Sequence, residues 1–120
     1  VRPLLTFLRQ KGIKTAIASA SHNSLMLLKS MGIESLIDYW VDPGEVEQGK
    51  PAPDIFLKAC QALNLDPSKC IGIEDSAAGL TAIKSAGMRP LAIGDFNTPS
   101  EAEWCFKQIK DIPYDVFGSQ

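Results

Sequence analysis

Three glycines, Gly12, Gly32 and Gly87, each close an amphipathic stretch, and each is followed by an apolar run too short to be a helix. Pro3 suits a first helical position, and Leu4, Leu5 and Leu8 repeat at helical spacing up to Gly12, which predicts a helix over 3–11. KTAIA, residues 14–18, follows as a strand. Leu25, Leu28 and Met31 before Gly32 predict a helix over about 23–31, and DYWVD a strand near 39–42. Pro53 at the first helical position, with Asp54 in the first turn, opens a helix with Ile55, Phe56, Ala59 and Leu63 on one face, stopped by Asp66 and Pro67. CIGI is a third strand, residues 76–86 a helix closed by Gly87, and RPLAIG a fourth strand. Ser100 and Glu103 form a capping box that predicts a last helix to about residue 110, with Ala102, Cys105, Phe106 and Ile109 on one side. The tail from Pro113 fits neither pattern.

Strands that alternate with helices through connections of this length pair in parallel, so the chain predicts an α/β fold: an open, doubly wound parallel sheet with helices on both faces. Ligands of such sheets collect at the carboxyl ends of the strands. That edge is lined here by SASHN after the first strand, VDPGEVEQGKPAPD after the second, EDSAAG after the third and GDFNTPS after the fourth.

The 120 residues make one domain at most, with 22% charged and 45% hydrophobic residues, the balance of an ordinary globular protein. A net charge of −2 with interspersed signs offers no basic stripe for nucleic acid or an anionic membrane, and small molecules are the expected partners. Cys60, Cys70 and Cys105 form no C-x-x-C motif, which predicts a reducing, cytoplasmic setting and no structural zinc. No apolar run approaches the roughly 20 residues of a membrane span. The chain opens on Val1 with no Met, as expected of a processed chain or of a piece of something longer.

The third strand ends in two adjacent carboxylates, Glu74 and Asp75. An unpaired buried carboxylate costs several kcal/mol, so the pair must be solvated, paired with cations or holding a metal. Two hard oxygens at the point where a strand turns into a helix suit Mg²⁺, and they equally suit a solvated helix start with Ser76 as N-cap. Ser19, Ser21 and Asn23, with backbone N–H groups at a helix start, form an anion site or a plain cap. His22, the one histidine, reads as a surface residue or as a cation beside a phosphate. Lys50, between Gly49 and Pro51, is either a solvated turn lysine or an ammonium aimed at the same edge, where it would neutralise both carboxylates and a phosphate. These features share one edge.

AIASASHN, GKPAPDIF and GIEDSAAGLTAIKSAGM, in this order, resemble the second, third and fourth motifs of the haloacid dehalogenase superfamily, in particular its β-phosphoglucomutase-like branch, over about residues 1–95. The resemblance implies a Rossmann-like three-layer core. It implies that Ser19 and the Ala20 amide bind the transferring phosphoryl group, that Lys50 balances charge there, and that Glu74 and Asp75 ligate Mg²⁺. Ser21 and Asn23 would grip a second phosphate of a sugar phosphate, with His22 where the branch has Lys.

The superfamily's first motif, a strand ending in D-x-D, carries the phosphoryl-accepting aspartate, and residues 1–120 contain no such motif; Asp42 lacks a partner two residues on. In the family that strand lies in mid-sheet, between the equivalents of 14–18 and 70–74, and the helical cap follows it. The expectation is therefore a core over 1–112 with a tail over 113–120, lacking the nucleophile strand and the cap, and partnered by that missing N-terminal segment. In the parent chain the implied reaction is Mg²⁺-dependent isomerisation of β-glucose 1-phosphate to glucose 6-phosphate; phosphatase chemistry on a sugar phosphate and an inactive phosphosugar-binding fragment are the alternatives. A receiver-type signalling module needs its acids after the first strand, and here they follow the third.

Overall fold

A computed structural model describes residues 2–18, 32, 34–41, 44, 46–94 and 102–117. Among them lie helix α1 (Arg2–Gln10), strands β1 (Ala16–Ala18) and β2 (Tyr39–Val41), helix α2 (Asp54–Leu63), strand β3 (Ile71–Glu74), helix α3 (Ala77–Ser85), and strands β4 (Arg89–Ile93) and β5 (Trp104–Phe106). Short 3₁₀ turns occupy Glu34–Leu36, Pro67–Lys69, Ile109–Asp111 and Tyr114–Val116. The helix expected over 23–31 and Ser100 lie outside the described residues.

The strand pairs among the described residues are all parallel, as the alternation of strands and helices requires. They form two groups, β1–β2 and β3–β4–β5. No ladder joins β1 to β3 among the described residues, so the break falls where the family resemblance puts an additional strand.

The period-two alternation of each strand sorts its side chains into two layers. On one face Ile71, Ile73, Leu91, Ile93, Trp104 and Phe106 pack with Leu4 and Leu8 of α1 and with Ile112, Val116 and Phe117. Ile17 and Trp40 meet Leu5 on that side. On the other face Ala16, Ala18, Tyr39 and Val41 pack with Ile55, Phe56 and Ala59 of α2, with Ala82 and Ile83 of α3 and with its C-cap residue Ala86. This is the three-layer α/β/α arrangement. Gly72 points at α3, where a Cβ would lie 2.7–2.8 Å from the Ile83 side chain, so the glycine lets that helix settle onto the strand.

Three local expectations are corrected. Pro53 is the N-cap of α2 rather than its first residue. The helix is ended by Asn64, left-handed at φ 59°, while the Asp66 carboxylate accepts the Ser68 N–H at 2.9 Å and caps the next 3₁₀ turn. That backbone bond holds Asp66 below the usual carboxylate range. The last predicted helix is instead β5, because the open edge of β4 offers it a ladder: Glu103 N–H donates to the Pro90 carbonyl at 2.8 Å and Gly94 N–H to that of Phe106 at 2.9 Å. Spacing of Ala102, Cys105, Phe106 and Ile109 suits a helix, yet Trp-Cys-Phe suits a pleated strand, and pairing decides. Glu103, just before β5, pairs in bidentate fashion with Arg89, whose guanidinium lies 4.6 Å from the centre of the Trp104 ring.

Candidate active site

Glu74 is the last residue of β3 and, by alternation, faces α3 as Gly72 does. Its Oε2 lies 2.7 Å from Lys50 Nζ, with the two side chains only 11% and 19% exposed. The other oxygen, Oε1, accepts the Asp75 N–H at 3.0 Å and the Ser76 hydroxyl at 3.4 Å. Ser76 is the N-cap of α3, and its Oγ accepts the Gly79 N–H at 3.0 Å. The carboxylate is thus fixed at both oxygens.

Lys50 comes from the loop between β2 and α2. Gly49 to Ala52 form a turn closed by the Ala52 N–H donating to the Gly49 carbonyl at 3.0 Å, and the Lys50–Pro51 peptide is cis. The ammonium lies 5.2 Å from the centre of the ring of Phe56, a buried residue in the first turn of α2. The GKPAPDIF stretch therefore supplies both the cation and the aromatic surface that supports it.

Asp75 is exposed, and its carboxylate has no hydrogen-bonding or ionic partner among the described residues. Two acids and one lysine leave this cluster with a net negative charge beside the N-terminus of α3. Asp75 offers hard oxygens to a divalent cation, and Glu74 lies next to it with a carboxylate already shared with Lys50. That donor set fits two positions of an oxygen shell around Mg²⁺, the rest left to water and phosphate.

The structure brings together Lys50, Glu74 and Asp75 of the residues singled out from the sequence. Ser19, Ala20, Ser21, His22 and Asn23 lie outside the described residues; β1, which leads into them, ends at Ala18. Sequence reasoning missed Phe56 as the support of Lys50, although its place six residues on in the same motif was the available signal. It also missed Gly79.

A parallel α/β/α sheet with its charged side chains gathered where a strand runs into a helix is the frame of phosphate-handling proteins. This chain belongs to the haloacid dehalogenase-like hydrolases, whose family model matches residues 1–87. It is 37% identical over 117 residues to a β-phosphoglucomutase of Bacillus subtilis, covering 98% of this chain and 52% of that protein. A phosphorylated carbohydrates phosphatase of Thermotoga maritima is 38% identical over 90 residues, covering 73% of this chain and 42% of that one. The crystal structure of a β-phosphoglucomutase from Clostridium difficile superposes with a TM-score of 0.93 at 32% identity, over 98% of this chain and 53% of the other. The chain spans about half the length of the relatives it matches.

Proposed function

We propose that these residues are part of the core of an Mg²⁺-dependent, cytoplasmic phosphotransferase acting on a sugar phosphate, with the conversion of β-glucose 1-phosphate to glucose 6-phosphate as the leading reaction. The observation that carries the reading is the Lys50–Glu74 pair, held at 2.7 Å beside the open carboxylate of Asp75 at the carboxyl end of β3. Phosphoryl transfer depends on positioning and on neutralising charge on the equatorial oxygens. Lys50, with one donor occupied by Glu74, has further N–H donors for a phosphoryl oxygen. Asp75 and Glu74 would hold the Mg²⁺, which when bound supplies further positive charge to the phosphoryl group. Ser19 and the Ala20 amide would hold the same group, and Ser21, His22 and Asn23 the second phosphate of the sugar. The accepting aspartate would come from polypeptide outside these 120 residues.

A sugar-phosphate phosphatase is the second reading, favoured by the similarity to the Thermotoga maritima phosphatase. The two differ in product. Expressed as the full-length protein and given β-glucose 1-phosphate and Mg²⁺, it is expected to yield glucose 6-phosphate in ³¹P NMR spectra, and Asp75→Asn to abolish the signal. Inorganic phosphate in its place establishes the phosphatase, and turnover of neither kind across a panel of sugar phosphates removes both.

A further inference from the structure

We propose that Gly79 is a positioning residue for the acid–cation pair: its bare Cα, in the first turn of α3, leaves the space in which the Glu74 side chain lies and so keeps that carboxylate on Lys50. A Cβ built on Gly79 falls inside the van der Waals envelope of Glu74 Cγ, Cδ and Oε2. The backbone does not demand glycine here, since Gly79 is helical and is absent from the positive-φ positions. Helix propensity argues against it too, because alanine is the better helix former. What remains is room. Gly79 also reaches the carboxylate through Ser76, whose Oγ accepts the Gly79 N–H at 3.0 Å while the hydroxyl donates to Glu74 Oε1. Displacing Glu74 would release Lys50 from its 2.7 Å contact and leave, among the described residues, the Phe56 ring to hold the ammonium.

The catalytic consequence rests on the phosphotransfer reading, but the steric claim does not, and the test separates them. Gly79→Ala, Glu74→Ala and the double variant are compared by urea unfolding. Gly79→Ala is expected to destabilise the wild-type protein and to stabilise the Glu74→Ala protein, with the unfolding constants coupled by roughly fivefold or more. Should Gly79→Ala alone fail to fold, a folded double variant supports the proposal and an unfolded one overturns it. In a protein that turns over a sugar phosphate, Gly79→Ala at saturating Mg²⁺ is expected to lower kcat about tenfold or more, up to the roughly hundredfold that an ångström's misplacement can cost, with KM little changed. The same effect of Gly79→Ala in both backgrounds, or an unchanged kcat, overturns the proposal. A wild-type protein without turnover but with the reversed sign in the cycle keeps the steric role and dismisses the phosphotransfer reading.

Discussion

Lys50 Nζ and Glu74 Oε2 meet at 2.7 Å although they lie 24 positions apart in sequence, and the contact ties the loop after β2 to the end of β3. It joins the two groups of strands on the α2–α3 side of the molecule, where both helices pack into one apolar cluster. The charge pair is therefore part of the fold as well as of the site.

Removing one partner leaves the other charge largely shielded from water. Lys50→Met and Glu74→Gln are each expected to destabilise the protein by about 1–3 kcal/mol, and the double variant by less than their sum. Urea unfolding of the four proteins measures the difference. Additive losses would mean that the pair is not coupled.

Gly72 gives a second test of packing. Gly72→Ala forces a methyl group against Ile83, which is fully buried, and is expected to cost about 1–3 kcal/mol. Ile83→Val in the same protein recovers part of that loss. Thermal or urea denaturation of both variants decides.

The strands and helices of the middle of the chain could be read from local pattern, because Ile71, Ile73 and the glycine-closed helix before β4 are set by short-range rules. For Lys50, between Gly49 and Pro51, local pattern left a solvated turn lysine and an ammonium aimed at the carboxylates equally open, because its 2.7 Å contact with Glu74 is a long-range one. β5 could not be read this way: Trp104, Cys105 and Phe106 satisfy both periodicities, and the unpaired edge of β4 that selects the strand is a long-range fact. Gly79 escaped for a related reason. A glycine early in a helix has no local meaning until β3 is known to aim Glu74 at it.

Glu103 is held below its ordinary value of 4.5 by hydrogen bonds from Arg89. A carboxyl group depressed in the folded state contributes stability that is present above its unfolded value and lost as pH falls through the lower folded value. Thermal unfolding midpoints followed downward from pH 5 are expected to fall less steeply in Glu103→Gln than in the parent protein. Parallel curves for the two would show that the Arg89 pair contributes nothing.

The cysteines differ in chemistry. Burial and the neighbouring Cys70 push the Cys60 thiol up to about 12, so little of it is thiolate at pH 8, whereas Cys105 is exposed. A disulfide reagent at pH 8 is expected to modify Cys105 rapidly and Cys60 only after denaturation, as read by mass spectrometry of the labelled peptides. Early labelling of Cys60 would contradict the packing of α2.

The cluster at the end of β3 is the proposed place where a divalent cation and an esterified phosphate are held together. Titration with Mn²⁺, followed by the relaxation of solvent water protons, compares the parent protein with Asp75→Asn under the same conditions. The expected result is a single site in the parent, weakened roughly tenfold or more by the substitution. Equal binding by the two proteins would contradict the account.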